Sequence, residues 1–283
     1  MKIVNRNEDS LGESPSWLSP LQRFYWVDIM SRKYHWIGQD SKIGTASVPD
    51  TLSSLHPGIS GFLMGTFQDT FVRIEPGSQR IQKLAKVNLV EGVRFNDGKC
   101  DRLGNFWAGT MDVGEKDPKG SLYVLYLNGE VHELLSGLTI SNGLCWDYGE
   151  HMFYHIDTPT KAVRAFDFRE DHPDIWNPRI LVDLSGEAGV PDGMTIDSCG
   201  NIWIAHWGGS HLSVWNPGTG KKLGSIKLPA VNITSCSFDT EEDLLAVTSA
   251  KLDRKDSNLD SDLGGSLFIL DKSDFRQSGL LLF

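Results

Sequence analysis

Short apolar segments separated by Gly, Pro, Asn and Asp residues dominate the chain along its whole length. No long segment places its apolar residues at the spacing of a helical face, whereas patterns typical of β-strands are common. One kind of strand, usually rich in aromatic residues, recurs six times: Phe24–Ile29, Phe62–Thr66, Phe106–Thr110, Met152–Asp157, Ile202–His206 and Leu244–Ser249. The pattern therefore predicts an all-β chain built from repeated units.

Each of these central strands is accompanied by others in a fixed order. An inner strand comes before it, as Met194–Ile196 does in the fifth unit, and a further strand follows it, as Ala162–Phe166 does in the fourth. Successive central strands are roughly 40–50 residues apart, which is the period of propeller blades. Six such units nearly fill the 283 residues. We therefore predict a six-bladed β-propeller that forms one domain over residues 1–283, since a sandwich or barrel would not explain six similarly ordered units.

Superposing the units brings oxygen-bearing residues to equivalent positions at the start of the inner strands. Four of them each lie five residues before the Asp of a hairpin turn: Asn96 before Asp101, Asn142 before Asp147, Asp192 before Asp197 and Thr234 before Asp239. Glu13 precedes Phe24 by the interval that separates Asp192 from Trp203. The second unit is irregular and offers Ser53 or His56. Because innermost strands line the channel of a propeller, these residues should form a ring around one mouth of it.

Turn formation is the alternative explanation for three of these positions. Asn142-Gly143, Asp97-Gly98 and Asp192-Gly193 are dipeptides that strongly favour tight hairpins. The hairpin tips, however, are already accounted for by residues 101–105, 147–151 and 197–201. The dipeptides stand at strand starts, so their side chains are free for another purpose. Glu13 belongs to no such dipeptide.

The ring has the chemistry of a site for one hard divalent cation. Carboxylate and amide oxygens are the ligands preferred by Ca²⁺, Mg²⁺ and Mn²⁺, and Zn²⁺ and Fe²⁺ also accept oxygen although they usually take some nitrogen. Few protein ligands leave positions open for water and substrate. Such a metal could polarise a carbonyl or generate a nucleophilic hydroxide, and a carboxylate beside it could serve as general base.

Charge and cysteine content exclude several classes of protein and predict a location. The net charge of −10 argues against a nucleic-acid binder, and no apolar run is long enough to span a membrane. The start, MKIVNRNEDS, does not look like a signal peptide. The four Cys residues form no CxxC pair and are predicted to be free thiols in a reducing cytoplasm. A G-x-S-x-G motif is absent, which argues against a serine hydrolase.

A set of short motifs resembles one family along nearly the whole chain and in the family's order. These are LGESPSW (11–17), RFNDGK (94–99), AGTM (108–111), GSLY (120–123), ISNGL (140–144), FYHID (153–157), PDGM (191–194), WGG (207–209) and TSCSF (234–238). They resemble the regucalcin/gluconolactonase family, also called senescence marker protein/luciferin-regenerating enzyme-like. No single motif is decisive, but together they are highly specific.

The resemblance implies a six-bladed propeller that holds one divalent metal and hydrolyses a sugar lactone, such as gluconolactone, xylonolactone or arabinolactone. It implies Glu13, Asn142 and Asp192 as metal ligands, with Asp192 also the general base. Arg94 and Asn96 match substrate-contacting positions. Glu115, in the segment DVGEKDPKG, is a further candidate for substrate contact. This segment is shorter than in animal regucalcins and looks more like that of bacterial sugar lactonases, and we expect a monomer or weak homodimer.

Two other functions fit the same sequence. One is a non-catalytic Ca²⁺-binding regulator, and the other is an esterase or organophosphate hydrolase on the same scaffold. His155 and His206 lie in central strands and are interpreted as hydrogen-bonded core residues rather than ligands. The acidic segment Asp256–Asp262 has the composition of a calcium loop, but it lacks the Gly and Glu of an EF-hand and is interpreted as solvated.

Overall fold

Six antiparallel sheets of four strands each form the protein, as a computed structural model shows for residues 1–171, 174–251 and 262–280. The six-bladed, nearly all-β architecture predicted from the repeats is therefore confirmed. The six recurring central strands all occur within about two residues of their predicted bounds, and each is the second strand of its blade.

Five blades consist of four consecutive strands each. Blade one contains β2 (Gly12–Leu18), β3 (Arg23–Asp28), β4 (Lys33–Gly38) and β5 (Ile43–Ser47). Blade two contains β6 (Ser54–Pro57), β7 (Leu63–Thr66), β8 (Thr70–Ile74) and β9 (Ile81–Lys86). Blade three contains β10 (Val93–Cys100), β11 (Phe106–Asp112), β12 (Gly120–Leu125) and β13 (Val131–Leu138). Blade four contains β14 (Ser141–Asp147), β15 (Met152–Asp157), β16 (Ala162–Arg169) and β17 (Asp174–Asp183). Blade five contains β18 (Val190–Ile196), β19 (Ile202–Trp207), β20 (His211–Asn216) and β21 (Lys221–Lys227).

Blade six joins the two ends of the chain. It contains β22 (Asn232–Phe238), β23 (Leu244–Ala250) and β24 (Leu267–Asp271), and its fourth strand is β1 (Lys2–Val4). Val4 pairs with Leu267, and Lys2 pairs with Ile269. The N-terminal strand thus closes the ring of blades, a feature that a three-residue segment is too short to reveal in the sequence.

Little helical structure accompanies the strands. Short 3₁₀ turns occupy Ser19–Leu21 and Thr158–Thr160, and the helix α1 (Lys272–Gln277) follows β24 with a capping box at its start. No helix in the described ranges is long and apolar enough to cross a membrane. All four cysteines are free, as predicted.

A buried aspartate fixes the tip of the inner hairpin in blades three and five. In blade five, Asp197 accepts hydrogen bonds from the backbone N–H of Asn201 at 2.8 Å and from the indole N–H of Trp203 at 2.9 Å. Asp101 makes the same contacts with Asn105 and Trp107 in blade three. The aspartate gives each indole a partner where the ring is fully buried. The tip therefore both ends the hairpin and holds a core aromatic residue.

Asp197→Ala should lower the free energy of unfolding by about 3 kcal/mol, because it leaves the buried indole N–H of Trp203 and two donors of Asn201 without an acceptor. Urea unfolding followed by tryptophan fluorescence measures the change. Asp239→Ala is the matched control in blade six, where the aspartate caps the hairpin but accepts only backbone N–H groups in the described contacts. We expect a loss of about 1 kcal/mol there; an equal effect of the two substitutions would contradict the role given to the indole.

Candidate metal centre

The first strand of five blades carries a β-bulge at or beside the predicted ring position. The pairing register shifts in β2 between Glu13 and Ser16, in β10 between Phe95 and Gly98, in β14 between Asn142 and Leu144, in β18 between Pro191 and Met194, and in β22 between Ile233 and Ser235. A bulge re-aims the side chain that it carries. The ring residues are therefore directed by a repeated backbone irregularity, and only β6 pairs without one.

The glycines that follow two ring residues allow close packing of the inner strands. A Cβ on Gly143 would lie 2.8 Å from the carbonyl oxygen of Asp192, and a Cβ on Gly193 would collide with Ser235 of the next blade. These Asn-Gly and Asp-Gly dipeptides thus serve the approach of neighbouring blades, and neither forms the tip of a hairpin.

One cavity of about 340 Å³ is lined by all six residues that the sequence proposed for the site: Glu13, Arg94, Asn96, Glu115, Asn142 and Asp192. The remaining ring positions lie elsewhere. Thr234 is buried and donates to the carbonyl oxygen of Gly12 at 2.6 Å. Ser53 bonds to Thr66, and His56 lines a separate cavity that also contains Lys99. The arrangement brings three carboxylates, two amides and one guanidinium together.

A chain of hydrogen bonds fixes the orientation of the Asn142 amide. The hydroxyl of Thr158 donates to the carbonyl oxygen of Pro191 at 2.9 Å, so it must accept from the Asn142 Nδ2 at 2.8 Å. The opposite side of the amide is then the oxygen, which accepts from Asn96 Nδ2 at 2.9 Å. Asn142 therefore presents an oxygen to the cavity, with a lone pair left for a cation.

Asn96 and Arg94 are linked in the same way. Asn96 Nδ2 also donates to the carbonyl oxygen of Ser141 at 3.1 Å, and its Oδ1 accepts from Arg94 Nη1 at 3.1 Å. Arg94 Nη1 in addition donates to the carbonyl oxygen of Phe95 at 2.8 Å. The other guanidinium donors are left for a bound ligand, and their positive charge interacts with Glu13 and Glu115.

Four carboxyl groups lie close enough to repel one another at the mouth of the channel. Burial and the charge of Asp97 raise the pKa of Glu13 from 4.5 to about 8. Burial raises the pKa of Asp192 well above its usual range, with further contributions from Glu13, Asp97 and Glu115. Such crowding disfavours the ionised forms unless a cation offsets it. A bound cation would therefore offset the repulsion that these side chains exert on one another.

The rim of the cavity combines one charge with apolar surface. Glu115 is exposed and has a positive φ of 57°. The apolar part of the lining comes from Leu11, Ile29, Met111, Ile140, Pro159, Val190 and Trp207. Trp207 is 38% exposed, so its ring is available for contact with a bound molecule. Polar groups lie at the base of the cavity and apolar groups surround its entrance.

Sequence reasoning missed two residues that shape this site. Asp97 is buried, and its Oδ2 has no hydrogen-bond partner within the described part of the chain. It stands in an Asp-Gly pair that suggested a turn. Thr158 lies in the 3₁₀ turn after β15 and had no motif to mark it. The available signal for Asp97 was an acidic residue directly after the ring position Asn96, in the strand where the register shift spans both residues.

Two remaining predictions concern groups outside the cavity. His155 is fully buried, and its Nε2 lies 2.8 Å from Ser141 Oγ, so its interpretation as a core residue is confirmed. His206 is also buried and hydrogen bonded, to Ser213. The acidic segment Asp256–Asp262 lies outside the described residues except for Asp262, whose carboxylate accepts from the backbone N–H of Val231 at 2.8 Å.

Comparisons with known proteins agree with the motifs. Residues 11–251 match the model of the SMP-30/Gluconolactonase/LRE-like region. A Bacillus subtilis protein named "Putative sugar lactone lactonase YvrE" is 33% identical over 230 residues, which are 81% of this chain and 79% of that protein. Regucalcin of Danio rerio is 32% identical over 254 residues, or 88% and 86% of the two chains. A solved structure of luciferin-regenerating enzyme superposes with a TM-score of 0.86 at 27% identity, covering 96% of both chains.

Proposed function

Because the chain belongs to the SMP-30/gluconolactonase/LRE-like family, we propose that it is a metal-dependent lactonase that hydrolyses a sugar lactone to the corresponding aldonic acid. The observation that carries this proposal is the convergence of Glu13, Asn142 and Asp192 with Asn96 and Arg94 on one cavity. A similar protein of Bacillus subtilis carries the name of a sugar lactone lactonase.

The residues present fit one divalent cation. Glu13 accepts a hydrogen bond from the backbone N–H of Ser14 at 3.0 Å and otherwise presents acceptor lone pairs. The Asn142 oxygen is held toward the cavity by Thr158. Two carboxylates neutralise one divalent charge, and an oxygen-only set suits Ca²⁺, Mg²⁺ or Mn²⁺ best. Burial and neighbouring carboxylates raise the pKa values of Glu13 and Asp192, and a bound cation would favour the ionised form of both groups.

A bound cation would supply Lewis-acid polarisation of the lactone carbonyl. The protein's own groups account for the remaining steps. Asp192 takes a proton from water as the water oxygen bonds to the carbonyl carbon. The bond between that carbon and the ring oxygen then breaks, the ring oxygen receives the proton, and Asp192 returns to its carboxylate form. Arg94 and Asn96 bind the sugar oxygens and hold the carbonyl beside Asp192, while Trp207 packs on an apolar face of the ring.

Thr158→Val should weaken metal binding about 10–100-fold, since the Asn142 amide loses the partner that fixes its orientation. The measurement is calcium or manganese affinity by isothermal titration calorimetry. Thr160→Val is the matched control, because Thr160 lies in the same turn and donates to the carbonyl oxygen of Asp157 without reaching the site. Equal affinity of wild type and Thr158→Val would contradict the ligand role of Asn142.

A lactone panel tests the function itself. Gluconolactone, xylonolactone and arabinolactone should be hydrolysed in a pH-indicator assay, EDTA should abolish turnover, and a divalent metal should restore it. Aryl esters and phosphotriesters should react at least about 100-fold more slowly, an expected specificity that rests on sugar hydroxyl contacts with Arg94 and Asn96. Calcium binding without turnover of any lactone would instead favour a non-catalytic calcium-binding protein, and preferred turnover of esters or phosphotriesters would favour the third function.

A further inference from the structure

Two histidines and one glutamate lie together in blade five, apart from the lining of the candidate metal centre. His206 in β19 pairs directly across from His211 in β20, and their rings stack with centroids 4.2 Å apart. Glu187 comes from the segment that leads into β18. One ligand atom of each residue lies within 4.8 Å of those of the other two.

The hydrogen bonds of His211 require a positive species between its ring and Glu187. Its Nδ1 lies 2.8 Å from the carbonyl oxygen of Gly209, which can only accept, so Nδ1 carries a hydrogen. Its Nε2 lies 3.1 Å from a carboxylate oxygen of Glu187. If the His211 ring were neutral, the lone pair of Nε2 would face a lone pair of the Glu187 carboxylate oxygen. Either a proton or a metal ion must therefore join His211 to Glu187.

His206 supplies a second nitrogen in a form suited to a metal. The ring is fully buried, and burial together with His211 lowers its pKa to about 3, so it is neutral. Its Nε2 lies 2.7 Å from the hydroxyl of Ser213, whereas its Nδ1 is buried and has no hydrogen-bond partner in the described ranges. The tautomer that donates from Nε2 leaves the lone pair of Nδ1 available, which is the usual arrangement of a metal-bound histidine.

The backbone around this cluster is tightly fitted. A Cβ on Gly189 would collide with the carbonyl oxygen of Trp207, and a Cβ on Gly209 would collide with that of Ala188. The segment that carries Glu187 therefore packs directly on the turn between the two histidines. Lys222 Nζ lies 2.6 Å from Glu187 Oε2, the same oxygen that faces His211 Nε2, so a metal ion between His211 and Glu187 would share this carboxylate with the Lys222 ammonium.

We propose that His206, His211 and Glu187 form a second cation site, for a divalent transition metal of the zinc class. Two imidazole nitrogens with one carboxylate oxygen and a water favour Zn²⁺ over Ca²⁺ or Mg²⁺. Since zinc–ligand bonds are about 2.0–2.2 Å long, binding draws the three side chains together. Val190 and Trp207, which adjoin the two segments so joined, line the candidate metal centre, and the ion would fix that wall of the cavity.

Zinc titration of tag-free protein, stripped with EDTA and desalted, tests this proposal. Glu13→Gln removes a ligand of the candidate metal centre, and in that background one zinc per chain should still bind. Adding His211→Gln or Glu187→Gln should raise the dissociation constant of that ion at least about tenfold. His132→Gln is the matched control, because His132 is exposed with a carboxylate of Glu130 at 3.8 Å, and it should leave zinc affinity unchanged.

A cobalt spectrum gives a second readout that does not depend on activity. Co²⁺ bound to the Glu13→Gln protein should show visible bands of four-coordinate geometry, and these bands should disappear on addition of His211→Gln. The proposal is overturned if Glu13→Gln binds no zinc saturably, or if the added His211→Gln and Glu187→Gln substitutions leave zinc affinity and the cobalt spectrum unchanged. A proton between His211 and Glu187 is then the species that joins them.

Discussion

Asp192→Asn should lower kcat for lactone hydrolysis about 1,000-fold or more when it is measured at a metal concentration that saturates the site. Removal of a general base typically costs 10²–10⁴-fold, and the side-chain oxygen of the introduced amide can still ligate the ion, as that of Asn142 is expected to do. Asp192 is buried at the bulge of β18, where burial and Glu13 raise its pKa well above the usual range.

Stopped assays of kcat together with calorimetric metal affinity separate the two roles of Asp192. Asp183→Asn, an exposed position at the end of β17 in the neighbouring blade, is the matched control and should change neither quantity. Full lactonase activity of Asp192→Asn with metal bound would exclude Asp192 as the base. A loss of both metal and activity would assign it a ligand role alone.

Glu13→Gln should weaken metal binding more than 100-fold and, in the metal-free protein, raise stability. The first effect follows from loss of one of two charged ligands. The second follows because the metal-free protein holds Glu13 near other carboxyl groups. The pKa of Glu13 is raised from 4.5 to about 8 on folding, so wild-type stability falls as pH rises through that window, by up to about 1.4 kcal/mol per pH unit. A glutamine side chain does not ionise, so the stability of Glu13→Gln lacks this pH dependence.

Thermal unfolding in EDTA at pH 5 and pH 8.5 therefore measures the gain in stability of Glu13→Gln over wild type at each pH. The gain should be small at pH 5 and largest at pH 8.5. With saturating metal the order should reverse, since only the wild type binds it tightly. Glu91→Gln is an exposed control with no expected effect under either condition. A variant less stable than wild type in EDTA at pH 8.5 would show that the carboxylates do not repel each other as described.

The repeat pattern predicted the blades because each one contains a complete local signal. Aromatic central strands such as Phe106–Thr110 and tip residues such as Asp101 and Asp197 act within their own hairpin. The ring positions could be found by counting back from those tips. The features that could not be predicted from the sequence depend on contacts between blades. The approach of Gly193 in β18 to Ser235 in β22, for example, exists only once the inner strands of neighbouring blades pack together.

The difference between local contacts and contacts between blades also explains which site residues were not predicted from the sequence. Thr158 acts through bonds to Asn142 in its own blade and to Pro191 in the next, so no local motif marks it. Asp97 looked like part of an ordinary turn because its burial depends on the surrounding blades. Arg94 and Asn96, by contrast, are neighbours in sequence, and their contact is local. Periodicity shows positions that recur in every blade, and Thr158, in a turn that follows β15, is not one of them.

The pairing of β1 with β24 also sets the order of events during synthesis. Blades one to five can each form from contiguous chain as it leaves the ribosome, but Val4 cannot meet Leu267 until the chain has been synthesised past that residue. Contacts of such high sequence separation form slowly, because a long loop must close before they are made. Ring closure is thus a late step of maturation, and until it occurs the short edge at Lys2–Val4 is a nascent strand without its partner.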